Sequence, residues 1–475
     1  MRQNSCKWIA VCTRQLAGFT FLGAILLMTG CGSLPRINPD MSLETPEGVS
    51  LAGARGPLSA KQSQAILNTL RREGKGSDIL ERHLALQQSL AGSTPLTVGN
   101  KVHILIDGAE TYAAMFEAID AAEDSINMET FIFEDDEVGK RFADALIAKQ
   151  QAGVQVNLIY DSVGSLTTPD TFFNRMRDSG INVLEYNPVN PLKARVGWDV
   201  NERDHRKVLV VDGKVAFVGG INISSVYSSG GSMSRLAQSA AAPGEDMHWG
   251  DTHLRIEGPV VSDFQALFLE TWGKQKGKPL ANRDYFPDLS IQGDAVVQAI
   301  GSSPNDPFSL IYVTLVTAIN SAEREVYLTN AYFIPDEQLL QALKDAAVRG
   351  VDVRLILPST TDSDLVFYAS RSYYDQLLQA GVKIYERQDA LLHAKTALID
   401  GVWSTIGSTN LDWRSFLYNQ EINAVILGHD FGNRMRAMFE DDLHASKLIT
   451  PEAWDERSLL MRLREFGASL WARWL

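Results

Sequence analysis

One pattern, His-x-Lys-x-x-x-x-Asp, occurs twice in the chain, and this repetition constrains the fold more than any other feature. The two copies are His205, Lys207 and Asp212, and His393, Lys395 and Asp400. A turn of small residues and an Asn follow each copy at the same spacing. These residues are Gly219, Gly220 and Asn222 in the first copy, and Gly407, Ser408 and Asn410 in the second. Because the same side-chain types recur in the same order, we infer that one structural unit is present twice.

The repetition extends beyond the two motifs. Three pairs of segments match: 152 to 162 with 349 to 359, 179 to 188 with 380 to 389, and METFIF (128 to 133) with TNAYFI (329 to 334). Each unit alternates apolar-periodic helices, such as AAMFEAIDAAE (113 to 123) or LVTAINSAE (315 to 323), with strand-like runs. Gly residues stop the second helix of each unit ahead of the next strand. This alternation predicts an α/β protein made of two duplicated α-β-α sandwich domains.

The side chains of each motif suit phosphate chemistry. Residues at i and i+2 of a strand point to the same face, so each motif His should lie beside its Lys. Lys supplies a compact positive charge, and a His with an unperturbed pKa of about 6.5 can attack phosphorus or move a proton. Asn222, Asn410 and Ser408 are predicted to bind substrate oxygens. Two half-sites of this kind predict one phosphodiester-cleaving site, whose expected catalytic residues are His205, Lys207, Asp212, His393, Lys395 and Asp400.

The remaining histidines have no such partners in the sequence, and we interpret them as structural. They are His83, His103, His248, His253, His429 and His444. The chain contains no His-Glu-x-x-His pattern, and its body contains no Cys pair. We therefore expect metal-independent chemistry without a cofactor.

With its two motifs, the sequence resembles the phospholipase D superfamily and, within it, the bacterial cardiolipin synthases. The resemblance covers the chain from about Val102 to Gly428. Four further stretches look like cardiolipin synthase signatures: METFIFEDDEVGK (128 to 140), WGDTHLRIEGPVV (249 to 261), TNAYFIPD (329 to 336) and NQEINAVILG (419 to 428). The resemblance implies phospholipase D-type domains related by a pseudo-twofold axis, with both His-Lys pairs around one pocket.

The resemblance also implies roles for individual residues. His205 is expected to be the nucleophile that forms a phosphohistidine, and His393 the acid and base. Asp251 and Glu421 resemble the carboxylates that orient each His through its other ring nitrogen. The implied activity is a phosphatidyltransferase that makes cardiolipin from two phosphatidylglycerol molecules, or from one and another phospholipid. Phospholipase D-type hydrolysis is the main alternative, and a nuclease or a catalytically idle lipid-binding lipoprotein is more distant.

The net charge argues against nucleic acid as the main partner. It is −14 for the whole chain, and removing residues 1–30 deletes three positive charges and no acids, leaving −14 − 3 = −17. A nuclease needs a basic track along the phosphates, whereas the basic residues here are local to the motifs. Lys207, Lys395, Arg203 and Arg206 are expected to make the pocket locally positive for an anionic phospholipid.

The N-terminus predicts a location at a membrane. Three basic residues precede the apolar run LAGFTFLGAILLMTG, which leads into Cys31. This run is too short to span a membrane comfortably. This resembles a bacterial lipoprotein signal, although Met28 stands where Leu is usual three residues before the Cys. We expect Cys31 to be lipidated and the protein to face the periplasm or the cell exterior, possibly at the outer membrane. An uncleaved anchor helix is the alternative.

These features divide the chain into five predicted parts: 1–30 as a lipoprotein signal peptide, 31–95 as a tether with a small helical cap, 96–285 and 286–455 as the two phospholipase D-like domains, and 456–475 as a C-terminal amphipathic segment. Two loops of the first domain could border the pocket. They are the insertion 187 to 203, which contains Trp198, and the Ser/Gly/Ala-rich segment 224 to 246, which is predicted to be a lid. The C-terminal segment either lies in a lipid interface or packs on the second domain.

Overall fold

The computed structural model describes residues 34–37, 49–74, 77–92, 94–193, 198–228 and 248–475. Cys31 and the signal-like run lie outside these residues, as does most of the predicted lid. Across the described ranges, no helix has both the length and the apolar character to cross a bilayer.

Two helices and a short hairpin precede the first unit. These elements are strands β1 (Leu51–Gly53) and β2 (Gly56–Pro57), and helices α1 (Ala60–Glu73) and α2 (Ile79–Leu90). Helix α1 begins with a capping box in which Ser59 and Gln62 satisfy each other's backbone N–H groups. Helix α2 packs on the second unit, where Gln87 bonds to Gln298 at 2.7 Å. The two helices match the amphipathic periodicity of this stretch.

The first unit is a mixed sheet with helices around it. Its strands are β3 (Leu96–Ile106), β4 (Ser125–Thr130), β5 (Gln155–Asp161), β6 (Asn182–Tyr186), β7 (Arg203–Asp204), β8 (Val208–Val211), β9 (Val215–Gly219), β10 (Trp249–Gly250) and β11 (Thr252–Glu257). Its helices are α3 (Asp107–Ala121), α4 (Glu137–Gln151), α5 (Asp170–Asp178) and α6 (Val261–Lys274). Strands pair in the order β6-β5-β4-β8-β9-β11-β3, with β4, β5 and β6 parallel.

The second unit repeats this arrangement. Its strands are β12 (Ala295–Ser302), β13 (Glu325–Asn330), β14 (Asp352–Pro358), β15 (Lys383–Arg387), β16 (Leu391–Leu392), β17 (Lys395–Ile399), β18 (Trp403–Gly407), β19 (Asn419–Leu427) and β20 (Ser446–Ile449). Its helices are α7 (Leu310–Ser321), α8 (Glu337–Val348), α9 (Asp364–Arg371), α10 (Tyr374–Gln379), α11 (Trp413–Leu417), α12 (His429–His444), α13 (Pro451–Asp455) and α14 (Leu459–Ser469). Strands pair in the order β20-β15-β14-β13-β17-β18-β19-β12.

Seven strands of the second unit correspond in order to the seven strands of the first, and β20 is an additional edge strand of the second unit. This duplicated α/β architecture confirms the predicted fold class. Asp136 and Asp336 cap equivalent helices, and the bridges Phe133–Ile223 and Phe333–Leu411 are also equivalent. The offset is therefore 336 − 136 = 200 residues before the motifs. This corrects the sequence pairing of METFIF with TNAYFI by one position, because equivalent residues there are 200 and not 201 apart.

Three apolar layers form the core: one lies inside each unit, and one lies between the two units. One lies between the first sheet and helices α3 and α4, and another lies between the second sheet and helices α7 and α8. The third joins the inner faces of both sheets, with residues such as Val210 and Val218 against Leu398 and Ile426. Strands β3 and β12 also pair edge to edge. Fully buried strands account for the continuous apolar runs beside both motifs.

Candidate active site

The two motif histidines are fixed where the units exchange short strands. Strand β7 of the first unit pairs with the start of β19 of the second, and β16 of the second pairs with β10 of the first. The backbone N–H of His205 donates to the carbonyl of Gln420 at 3.0 Å, and that of His393 donates to Gly250 at 2.8 Å. Each motif strand therefore starts against the other unit's strand.

This pairing gives each histidine a carboxylate from the opposite unit. Nδ1 of His205 lies 3.1 Å from both carboxylate oxygens of Glu421. Nδ1 of His393 lies 2.6 Å from Oδ2 of Asp251. Among the described residues, neither Nε2 has a hydrogen-bond partner, so this nitrogen is the one available for chemistry. The resemblance named both carboxylates, and the structure brings each to one histidine.

The two carboxylates have different surroundings at equivalent positions. The Ser408 hydroxyl donates to Glu421, whereas the first unit has Gly220 in that place. A Cβ atom added at Gly220 would lie only 2.3 Å from Oδ1 of Asp251. Glycine is therefore required for the close approach of Asp251, and Ser408 adds a charge-assisted hydrogen bond in the second unit.

The two lysines lie beside their histidines, as the strand spacing predicts. Nζ of Lys207 donates to the His205 carbonyl at 2.6 Å, and Nζ of Lys395 donates to the His393 carbonyl. Burial lowers the pKa of Lys207 to about 7 and the pKa of Lys395 to about 8. Burial also lowers the pKa of His205 to about 4, although the Glu421 charge raises it.

The electrostatic influence of these groups reaches across both half-sites. The charges of Lys207 and Lys395 each lower the pKa of both His205 and His393. Because Coulomb interactions weaken with distance, this cross-influence agrees with one shared pocket. A phosphate anion bound there would raise the pKa of all four groups.

Asp251 and Glu421 differ in protonation. Burial raises the pKa of Asp251 to about 7, against the opposing charge of Lys395. Burial acts in the same direction on Glu421, but the charge and hydrogen bond of His205 outweigh it, and the pKa of Glu421 is lowered. At neutral pH Glu421 is therefore ionised, whereas Asp251 lies near its midpoint.

Aromatic side chains that the sequence analysis did not assign line the site. The ring of Phe131 lies 5.0 Å from that of His205 and 5.1 Å from Nζ of Lys207. The ring of Trp249 lies 5.0 Å from that of His393, and the Tyr227 hydroxyl lies 3.4 Å from Nδ1 of His393. Phe131 and Trp249 belong to two of the signature stretches, which is the signal that could have identified them.

Asp212 and Asp400, expected to be catalytic, lie at the other end of their strands. Asp212 accepts hydrogen bonds from the backbone N–H groups of residues 123 to 125, and Asp400 from those of residues 323 to 325. Their φ angles are 52° and 53°, in the left-handed region. Asp400 also bonds to His83 at 3.0 Å. This placement corrects the expectation, because both carboxylates hold the turn that leads into β4 or β13 and do not face the pocket.

The three residues expected to bind substrate differ in the hydrogen bonds that they already form within the protein. Oδ1 of Asn222 accepts from the backbone of Ile132, and its amide donates to Tyr227. The Ser408 hydroxyl donates to Glu421, as described above, so in this structure its proton is directed to the carboxylate. Asn410 is buried, and its Oδ1 has no hydrogen-bond partner in the described part of the chain.

Arg203 and Arg206 also depart from expectation. Arg206 is fully buried and donates to the Glu421 and Ser302 carbonyls. Arg203 donates to Ser162 and to the carbonyl of Asn187. Both guanidinium groups therefore brace the loops behind His205, and the positive charge in the pocket comes from the two lysines.

His253 and Trp198, which the sequence analysis also named, have structural contacts. His253 is buried in β11, and burial lowers its pKa to about 3. In the insertion loop the Trp198 indole donates to the Pro188 carbonyl at 2.8 Å. Within the described ranges, no group of three or more His, Cys, Asp or Glu residues could hold a metal ion.

The fold and the paired histidines define a two-unit protein of the phospholipase D type. A family model described as "Cardiolipin synthase, PLD-like domain" matches residues 115–229 and 315–443. A cardiolipin synthase of Geobacillus sp. is 37% identical over 380 residues, covering 79% of this chain and 72% of that protein. Cardiolipin synthase 1 of Staphylococcus epidermidis is 36% identical over 379 residues, covering 79% and 74%. The chain belongs to this cardiolipin synthase family.

A solved structure with low sequence identity has the same fold. It is the phosphatidylserine synthase of Haemophilus influenzae, with a TM-score of 0.59 and 14% identity. The likeness covers 82% of this chain and 97% of that one. It supports the two-unit architecture alone.

Proposed function

We propose that this protein is a phosphatidyltransferase that makes cardiolipin from phosphatidylglycerol through a phosphohistidine. The observation that carries the proposal is the pair of histidines, each held by a carboxylate of the opposite unit, in a chain similar to curated cardiolipin synthases. No cofactor is required, because the two imidazoles can perform both the nucleophilic and the proton-transfer steps.

In the first step, Nε2 of His205 attacks the phosphorus of a phosphatidylglycerol. A bond forms between this nitrogen and phosphorus, the bond to the glycerol oxygen breaks, and His393 gives that oxygen a proton. The product is phosphatidyl-His205 and free glycerol. Lys207 and Lys395 neutralise the charge that builds on the non-bridging oxygens, and the amide nitrogen of Asn410 would donate to one of them.

In the second step, His393 takes a proton from a hydroxyl of the second phosphatidylglycerol headgroup. That oxygen bonds to phosphorus, and the phosphorus–nitrogen bond breaks. His205 is released with its lone pair restored, and cardiolipin leaves. Protons balance over the two steps, because His393 gives one and regains one.

The unequal carboxylates support this division of roles. Glu421, ionised and bonded by Ser408, stabilises the positive imidazolium that forms when His205 is phosphorylated. Asp251, with a pKa raised to about 7 and a 2.6 Å contact to Nδ1, suits a partner that exchanges a proton with His393 during turnover.

The test is a lipid analysis of purified protein incubated with phosphatidylglycerol vesicles. Cardiolipin and glycerol in equal amounts support the proposal. Phosphatidic acid alone identifies a hydrolase, since water then replaces the acceptor alcohol. Cut DNA without lipid product identifies a nuclease. Trapping after a rapid quench should place the phosphatidyl group on His205, and its recovery on His393 would reverse the assigned roles.

We also propose that Cys31 carries the lipid of a bacterial lipoprotein and that the body faces the periplasm or the cell exterior, possibly at the outer membrane. The support is the sequence of residues 1–33. Mass spectrometry of the mature N-terminus should find a diacylated Cys31. An intact Met1 in the membrane-bound protein would instead indicate an uncleaved anchor.

A further inference from the structure

Helix α14 and the short helical turn after it (Ala472–Trp474) expose a stripe of large apolar side chains. We call it the C-terminal apolar face, and it consists of Leu459, Leu460, Leu463, Phe466, Leu470, Trp471 and Trp474, all of them exposed. Leu463 and Phe466 are 58% and 64% exposed, respectively. Spacings of three and four residues place most of these side chains on one side of the helix.

The opposite side of the same helix is firmly packed. Glu465, Ala468 and Ala472 are buried. Glu465 pairs with Arg457 at 2.9 Å and with Arg371 of α9 at 3.6 Å. These contacts fix the rotation of the helix, so the C-terminal apolar face points away from the protein body.

Arginines border the C-terminal apolar face on both sides. At about 100° per residue, Arg462 lies between the buried side and the apolar stripe on one flank, and Arg464 lies between them on the other. Both are exposed. This local positive charge belongs to a chain of net charge −14, and it complements an anionic surface. Guanidinium groups flanking Leu, Phe and Trp are the composition of a helix that lies in a lipid interface.

A chain of contacts links the C-terminal apolar face to the surroundings of His393. Helix α14 packs on α9, and Arg464 donates to Tyr368 of that helix at 3.0 Å. Helix α9 begins at Asp364, just after Asp362, whose charge acts to raise the pKa of His393. Asp362 also accepts from the Tyr332 hydroxyl at 2.6 Å.

The first unit also has exposed apolar residues near the candidate site. Val163 and Leu166 are exposed in the loop after β5. Ser165 of this loop bonds to the carbonyl of Phe131, whose ring touches His205. Exposed apolar side chains therefore lie close in the fold to His205 in the first unit, and contacts link the C-terminal apolar face to His393 in the second.

We propose that the C-terminal apolar face docks on the surface of an anionic phospholipid bilayer and turns the catalytic opening toward the lipid. This inference rests on the proposed function, since a phospholipid is the substrate of the site. A bilayer fits better than a second copy of the chain, because a twofold pair formed through this stripe would bring the arginine flanks together.

A local probe tests the docking. The full chain, with Cys6, Cys12 and Cys31 replaced by Ser, carries an environment-sensitive fluorophore at Leu463→Cys or, as a control, at Val348→Cys. Val348 is 75% exposed at the end of α8. The next residue, Arg349, donates to the carbonyls of Asn320 and Ala322, which precede the turn held by Asp400. Nitroxide lipids in phosphatidylglycerol vesicles should quench the probe at position 463 and not at 348.

Other outcomes of this experiment overturn the proposal. Equal quenching at the two positions means that the face has no special contact with lipid. The absence of quenching at 463 means the same. A blue shift at 463 that grows with protein concentration in the absence of vesicles means that a second copy covers the face.

Matched double variants test the link to activity. Leu463→Gln/Phe466→Gln removes part of the C-terminal apolar face with little change in helix propensity. Phe286→Gln/Val348→Gln removes two exposed apolar residues outside the C-terminal apolar face, one next to Tyr285 and Pro287 at the Gly213 turn and one at the end of α8. Cardiolipin formation on vesicles should fall about 10-fold for the first pair, since partial burial of two large apolar side chains is lost. The second pair should match the wild type.

Detergent micelles separate the two proposals. With phosphatidylglycerol dispersed in micelles, all variants should have equal rates, because no bilayer needs to be engaged. An equal loss in micelles and on vesicles for Leu463→Gln/Phe466→Gln refutes docking. Absence of cardiolipin from the wild type in micelles and on vesicles refutes the proposed function, while the quenching result still decides the docking.

Discussion

Replacing Glu421 with Gln tests whether the carboxylate of one unit drives chemistry on the histidine of the other. The carboxylate oxygens lie 3.1 Å from Nδ1 of His205, and the group is fully buried. Phosphorylation makes the imidazole positive, and an opposite charge at about 4 Å is worth about 4 kcal/mol at an effective dielectric constant near 20. Its loss corresponds to about a 10³-fold fall in kcat. The amide has nearly the same volume, so packing changes little.

The assay is rapid-quench measurement of phosphatidyl-enzyme formation with labelled phosphatidylglycerol. Glu421→Gln should slow the first step by that factor while vesicle binding remains unchanged. Thermal unfolding of the variant serves as the control for folding. A first-step rate within about 10-fold of the wild type would refute the reasoning, because a neutral partner would then suffice.

Three more perturbations separate catalysis from stability. Asp400→Ala should lower the free energy of unfolding by about 4 kcal/mol in urea titrations, because buried backbone N–H groups and His83 lose their partner. Its kcat per folded molecule should be nearly unchanged, and a catalytic defect without destabilisation contradicts this. Gly220→Ala should abolish activity by displacing Asp251, whereas Gly273→Ala, which meets nothing within 4 Å, should not. His253 has a folded pKa of about 3, below the unfolded value of about 6.5. The unfolded state therefore binds more protons between these values, and stability falls as pH decreases. His253→Leu should remove about 2 kcal/mol of the loss between pH 6.5 and 5, and equal pH profiles would contradict the shift.

The duplicated α/β fold could be predicted because its signals are local. Helix periodicity, apolar strand runs and helix-ending glycines recur in both units, and Gly153 and Gly350 indeed adopt φ angles of 97° and 94°. The motif spacing also correctly placed each Lys beside its His. Such features depend on neighbours within a few residues, where strand and helix geometry are regular.

The features that the sequence did not reveal depend on contacts between distant segments. His205 and Glu421 are 216 positions apart, and only the pairing of β7 with β19 brings them together. The sequence pattern could not show that the motif Asp lies far from the motif His in the fold. Five residues of strand, about 16 Å, carry Asp212 away from the pocket. Likewise, the positive charges of Arg203 and Arg206 suggested that both residues line the pocket. In the structure Arg203 pairs with Asp161, and Arg206 donates to a buried backbone carbonyl.

The crossed strands β7–β19 and β10–β16 also determine how the site responds to dilution. A chain with a single unit could complete such a site only by forming a dimer. The fraction of molecules with a complete site would then depend on protein concentration. Here the partner is covalently attached, and its effective concentration is set by the linker and not by expression level. Specific activity should therefore remain constant as the protein is diluted. Mixing an inactive variant with the wild type should not lower the activity of the wild type, because the site does not depend on exchange of units between molecules.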